Sequence, residues 1–232
     1  MKLVLTAHGS ADPRSAVVTH AVADEVRRLR PKLDVRVAFC ERSEPNLVDV
    51  LAGLDGPGVV TPLLLASAFH ARVDIPTMIA DSGADVLQAD TLGEDPRLID
   101  VLRHRLEQVT TGHRDTGVLV VAVGSSHADA NARTASLSEA LAADDCWGAV
   151  QVAYATGPQP SVADGIAALR AHGARHIAIA PWFIAPGRIT DRVAAIADSH
   201  GVVMAEPLGA HPLLAATVLD RFDLAVAARL AA

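Results

Sequence analysis

One ordered set of landmarks runs through this 232-residue chain twice. Gly9-Ser10 is matched by Gly124-Ser125, Val37-Ala38-Phe39 by Val152-Ala153-Tyr154, and Pro45 by Pro160. Thr61-Pro62-Leu63-Leu64-Leu65 is matched by Ala180-Pro181-Trp182-Phe183-Ile184, and Leu92-Gly93 with Pro96 by Leu208-Gly209 with Pro212. Landmarks repeated in one order imply an internal duplication. Whatever the first half folds into, the second half must fold into as well.

Within each half, apolar runs alternate with segments of helical spacing. Leu3–Ala7, Val35–Phe39, Val59–Leu65 and Val86–Ala89 read as strands. Between them, Asp12 and Pro13 make a good helix start, followed by Val18, Val22, Val26 and Leu29 at helical spacing. Further helices are expected from Pro45, near Pro76, and from Pro96 to about Val109. After a polar stretch, Thr110–Thr116, the programme restarts with strands at Val118–Val123, Val150–Tyr154, Ile177–Ile184 and Val202–Ala205. Helices are expected near Pro160 and from Pro212. Alternation of this kind predicts an α/β fold. Two similar domains follow, each a parallel four-stranded sheet flanked by helices, at residues 1–110 and 117–232.

Composition narrows the function classes. Half of the residues are hydrophobic but only 3% are aromatic, and small or branched apolar residues suit strands buried on both faces. The formal net charge of −7 argues against a nucleic-acid partner. No apolar stretch reaches the length of a membrane span, and no signal segment is visible, so a cytoplasmic location without membrane contact is expected. The two cysteines, Cys40 and Cys146, fit neither a disulfide framework nor a zinc or iron–sulfur spacing.

Ligands of open α/β sheets bind beyond the carboxyl ends of the strands. In the first half His8, Glu41 and His70 fall there, after the first, second and third strands. With the first strand central, its two neighbours bring all three groups together. The second half has Val123 and Thr156 in the places of His8 and Glu41, and Ile189 near that of His70. The chemistry is therefore expected in the first half. Two imidazoles and a carboxylate suit a first-row divalent metal and leave coordination positions open. The same residue types accept protons near neutral pH. His8 and His70 are the expected metal ligands, and His8, Glu41 and His70 the expected catalytic set.

Three segments carry a family resemblance: LTAHGSADPRS at the start, AFCERSEPNL, and TPLLLASAFHARVDIP. In this order and spacing they resemble the sirohydrochlorin chelatases of the CbiX/SirB type, in the long two-domain form. The resemblance implies two chelatase-like domains and insertion of Co2+ or Fe2+ into sirohydrochlorin, for cobalamin or siroheme biosynthesis. It implies a tetrapyrrole and a divalent metal as substrates and no organic cofactor. His8 and His70 match the family's metal-handling histidines, and Glu41 its acidic partner. Ser67-Ala68-Phe69, before His70, departs from the glycine that many relatives carry.

Other readings of the same residues are a ferrochelatase acting on a heme-pathway porphyrin, and a non-catalytic metal or tetrapyrrole carrier. A phosphohistidine enzyme would require a converging set of arginines around His8, and none is evident. Arg14, Arg42, Arg72, Arg188 and Arg192 lie near strand ends, where a guanidinium could pair with substrate carboxylates or simply face water. A duplicated chain joins covalently what a dimer of short chains would assemble, so a monomer is expected.

Overall fold

The structure is a computed structural model that describes residues 1–67, 69–110, 114–143 and 146–231, and the backbone of His70. The first repeat contains β1 (Lys2–Ala7), α1 (Pro13–Leu29), β2 (Val35–Phe39), α2 (Leu47–Ala52) and β3 (Gly58–Pro62). A π turn (His70–Asp74) then leads into α3 (Ile75–Ser82), β4 (Val86–Gln88) and α4 (Pro96–Glu107). The second repeat contains β5 (Thr116–Ala122), α5 (Ala128–Ala135), α6 (Leu137–Ala142), β6 (Ala149–Tyr154) and α7 (Val162–Ala171). It ends with β7 (His176–Pro181), α8 (Arg188–Ser199), β8 (Val203–Met204) and α9 (Pro212–Ala231). Of the expected linker Thr110–Thr116, residues 111–113 lie outside the described residues, and Thr116 already belongs to β5.

The eight strands form two four-stranded parallel sheets, in the orders β2-β1-β3-β4 and β6-β5-β7-β8. The first strand of each repeat is thus central, as the sequence pattern requires for the site. Every residue of β5, and all of β1 after Lys2, is buried. That explains the unbroken apolar runs, because helices cover both faces of a parallel sheet. In the first sheet Val4, Ala38 and Val60 pack on Leu47 and Leu51 of α2 and Ile75 of α3. In the second, Leu119, Val121, Ala153 and Ile179 pack on Ile166 and Leu169 of α7 and Val193 and Ala197 of α8.

The units of packing differ from the units of repetition by one helix each. One compact unit comprises Met1–Asp95 with the segment from Gly209 onward, and the other comprises Pro96–Leu208. Thus α9 packs on α1, β3 and β4, whereas α4 packs on β7 and α6. Arg221 of α9 fixes this arrangement in the first unit. Its guanidinium donates to the Thr91 and Leu92 carbonyls at 3.1 and 2.8 Å and pairs with the buried Asp95 carboxylate at 3.0 Å. In the second unit Arg105 of α4 donates to the Leu208 carbonyl at 3.1 Å.

Local rules set the element ends. Asp12 caps α1 by accepting from the Arg14 N–H at 3.0 Å, with Pro13 at the first helical position. Pro45 does not itself open the helix expected from it, which starts at Leu47, and Pro160 stands just before the helix expected near it, which starts at Val162. Each lends its carbonyl to the end of the preceding strand, to Phe39 and Tyr154 at 2.9 Å, and the next residue caps the helix. Asn46 does so for α2 and Ser161 for α7, because their side chains serve free N–H groups that proline cannot reach. The strands expected to run to Leu65 and Ile184 end at Pro62 and Pro181, which have no N–H to extend the ladder. Three helices, α5, α6 and α8, stand where the sequence pattern names none. The buried set of α5 and α6, Ala130, Thr134, Leu137 and Leu141, follows helical spacing, but half of it is too weakly apolar to stand out as a stripe; in α8 the buried set Thr190, Val193 and Ala197 is likewise short of large apolar residues. Among the described residues no helix is long and apolar enough to cross a membrane.

Candidate active site

Hydrogen bonding between β1 and β2 continues past their carboxyl ends. Cys40 donates its N–H to the Ala7 carbonyl at 3.0 Å, and Glu41 to the His8 carbonyl at 2.9 Å. The two loops therefore leave the sheet side by side. Gly9 makes the crossing possible: its φ is +91°, and a Cβ there would overlap the Glu41 carbonyl oxygen. Ser10 and Ser43 lock the loops further on. The Ser43 hydroxyl accepts from the Ser10 N–H and donates to the Ser10 carbonyl, both at 3.1 Å.

This scaffold brings two of the sequence-predicted residues into contact. His8 Nε2 lies 3.2 Å from Glu41 Oε1, with side-chain exposures of 38% and 47%. Both groups remain open to solutes. Arg42 Nε donates to the same Glu41 oxygen at 3.0 Å. Arg42 has a φ of +57°, a left-handed conformation that is costly for a residue with a side chain. Sequence reasoning offers Arg42 as a partner for substrate carboxylates; the fold places it on the site's own carboxylate. Arg14 pairs with Asp12, and Arg72 donates to the Ser67 hydroxyl at 3.2 Å. Behind the pair, burial pushes the Cys40 thiol pKa up. The nearby Thr6 hydroxyl opposes this, and the negative charges of Asp74 and Glu41 add to it.

His70 is the first residue of the π turn that follows β3, the strand on the other side of β1. Its side chain, like Ala68, lies outside the described residues. The wide turn has a local cause. Pro76, two residues past Asp74, carries no N–H and its ring crowds the carbonyl four residues back, so an ordinary α turn cannot form there. Such turns recur at functional sites. Gln88 of β4, which the sequence reading passes over, donates its Nε2 to the Ala71 carbonyl at 2.7 Å.

The second unit repeats the scaffold without the chemistry. Gly124 has a φ of +93°, and its missing Cβ makes room for the Thr156 carbonyl oxygen. Thr156 donates its hydroxyl to the Val123 carbonyl at 2.8 Å, and Val123 is 41% exposed in the place of His8. An open cavity of about 380 Å³ remains at these carboxyl ends, between Gly124-Ser125 and Thr156–Pro158, and another of about 440 Å³ lies at the amino end of that sheet, beside Asp115, Arg170, Arg175 and His176. His20 and His104 lie in α1 and α4, and His172 and His200 cap α7 and α8. Trp182 and Phe183 are buried. Among the described residues no three His, Cys, Asp or Glu side chains come together as an ion's ligand set. The described part of the site is thus one imidazole and one carboxylate. That pair suits proton transfer, or contact with a metal whose other positions are open.

Comparison with known proteins gives a consistent result. A sirohydrochlorin ferrochelatase of Priestia megaterium is 25% identical over 82% of this chain and 78% of its own length. A sirohydrochlorin cobaltochelatase of Methanosarcina barkeri is 31% identical over 44% of this chain and 90% of its own. The structure of SirB from Bacillus subtilis with Fe3+ superposes with a TM-score of 0.81 at 20% identity, covering 95% of this chain and 94% of that one. The CbiX family model matches residues 2–109 and again residues 117–225, nearly the whole chain in two repeats. The chain belongs to the CbiX family.

Proposed function

We propose that this protein is a metal chelatase that inserts Co2+ or Fe2+ into sirohydrochlorin, with the first unit carrying the chemistry. The observation that supports the reading most is the His8–Glu41 contact at 3.2 Å, at the carboxyl ends of the central strands in the repeat that has both residues. The related ferrochelatase and cobaltochelatase fit the same activity. In this reading the protein acts in the cytoplasm as a monomer, without an organic cofactor.

The reaction replaces two pyrrole protons by one divalent ion. His8 and His70 hold the incoming metal. Two neutral imidazoles bind a first-row ion without closing its coordination sphere, so the ring nitrogens can displace them. Glu41 takes a pyrrole proton, and His8 can take the second as the metal leaves it. Arg42 shares the Glu41 oxygen and keeps the carboxylate turned toward His8. Imidazole accepts both ions, so the two histidines admit either metal.

The test is anaerobic insertion, with the purified protein, sirohydrochlorin and either Co2+ or Fe2+, followed by ring absorbance. Acceleration over the uncatalysed rate is expected, and the faster metal identifies the pathway. Metal and tetrapyrrole binding with no acceleration would replace the proposal by a carrier. Acceleration on a heme-pathway porphyrin alone would change the ring.

A further inference from the structure

Gln88 belongs to none of the motifs that mark the site, yet it touches the turn that carries His70. It is the last residue of β4 and pairs in register with Val60, so its side chain lies on the sheet face that packs against α2 and α3. There its amide nitrogen donates to the Ala71 carbonyl at 2.7 Å. Its amide oxygen is buried and has no donor among the described residues.

The Ala71 carbonyl has a particular need for that bond. In a π turn the N–H of residue i+5 serves the carbonyl of residue i. For His70 that donor is Ile75. For Ala71 it is Pro76, which has none. The proline that widens the turn thus cannot supply the N–H that a continued π turn would give the carbonyl next to His70. An apolar side chain at position 88 would avoid the cost of a buried unpaired oxygen. The contribution of the amide is therefore the bond to Ala71.

We propose that Gln88 is a positioning residue for the metal site: its amide replaces the N–H that Pro76 lacks and holds the π turn in the conformation that presents His70. The inference rests on the reading of His70 as a metal ligand. Groups that orient a metal ligand, without touching the metal, set affinity at the level of roughly 10–100-fold.

The test uses the full chain and Co2+ alone, with dissociation constants for wild type, Gln88→Met, Pro76→Ala, the double variant and His70→Ala. Gln88→Met is expected to weaken Co2+ binding about tenfold. In insertion assays it should raise the KM for metal while leaving kcat at saturating metal nearly unchanged. In the Pro76→Ala background an N–H is restored at position 76, and the effect of Gln88→Met should shrink to less than about twofold. Should Pro76→Ala not fold, hydrogen exchange decides: Gln88→Met must speed exchange of the segment 70–76 and leave that of β1 and β5 unchanged. Wild-type Co2+ affinity in Gln88→Met, with affinity lost in His70→Ala, overturns the inference alone. Wild-type affinity in His70→Ala overturns the reading beneath it. An equal loss from Gln88→Met in both proline backgrounds shows that the amide does not substitute for the missing N–H, and also overturns the inference.

Discussion

Arg221 donates to the Leu92 carbonyl at 2.8 Å across the boundary between the two repeats, yet both residues lie in one compact unit. Arg105 makes the equivalent bond to Leu208 in the other unit. The two arginines hold the same place in the helices that open at Pro96 and Pro212, and Leu92 and Leu208 are matched landmarks. Each repeat thus lends its last helix to the other repeat's sheet.

The two arginines should differ in what they contribute. Arg221→Ala removes one guanidinium from the Asp95 carboxylate, which is only 8% exposed, together with its bonds to the Thr91 and Leu92 carbonyls, and is expected to cost about 3 kcal/mol. Arg105→Ala removes a hydrogen bond from a charged donor and should cost about 1–2 kcal/mol. Urea unfolding of the two variants measures the difference. Adding Asp95→Asn to Arg221→Ala should recover part of the loss; an unchanged midpoint would show that the buried charge is not its source.

His8→Ala should lower kcat/KM for insertion by at least about a hundredfold, and Glu41→Gln by roughly tenfold, both without a change in unfolding midpoint. Both side chains are part-exposed, so each substitution is expected to act on activity far more than on stability. Full activity in His8→Ala, after the uncatalysed rate is subtracted, would remove His8 from the mechanism.

Gly9→Ala tests the loop crossing itself. The added Cβ meets the Glu41 carbonyl oxygen at a positive φ, so a loss of about 3 kcal/mol is expected. Gly124→Ala meets the Thr156 carbonyl in the same way and should also destabilise. Only Gly9→Ala should lower the activity of the protein that remains folded, because only that loop carries His8 and Glu41. Measuring insertion per folded molecule separates the two.

Cys40 and Cys146 should label at different rates. Cys146 is exposed, whereas Cys40 is half-buried and its thiol pKa is raised by burial. A raised pKa means less thiolate at any given pH, so alkylation of Cys40 should lag at neutral pH and quicken only on the alkaline side of an ordinary thiol. The raised value also means that the folded state prefers the neutral thiol. This contribution to stability is complete below the unfolded thiol pKa and is lost as pH rises through the folded one. Mass spectrometry of protein labelled across pH reads the rates directly; equal rates would contradict the burial of Cys40.

The duplication, the parallel sheets and the placement of His8 and Glu41 at strand ends were legible in the sequence. They depend on periods and landmarks that lie close together along the chain, and on the rule that parallel strands release their ligand residues at one end. The helix expected from Pro45 starts at Leu47 because the Pro45 carbonyl is used by the strand before it, which is a tertiary matter. The exchange of α4 and α9 was not legible at all. Both helices have an apolar face that either sheet could bury, and the choice rests on contacts as distant in sequence as Arg221 with Asp95. The same holds for Gln88 and Ala71. A single amide–carbonyl bond leaves no periodic trace, and only folding brings β4 against the turn that Pro76 has opened.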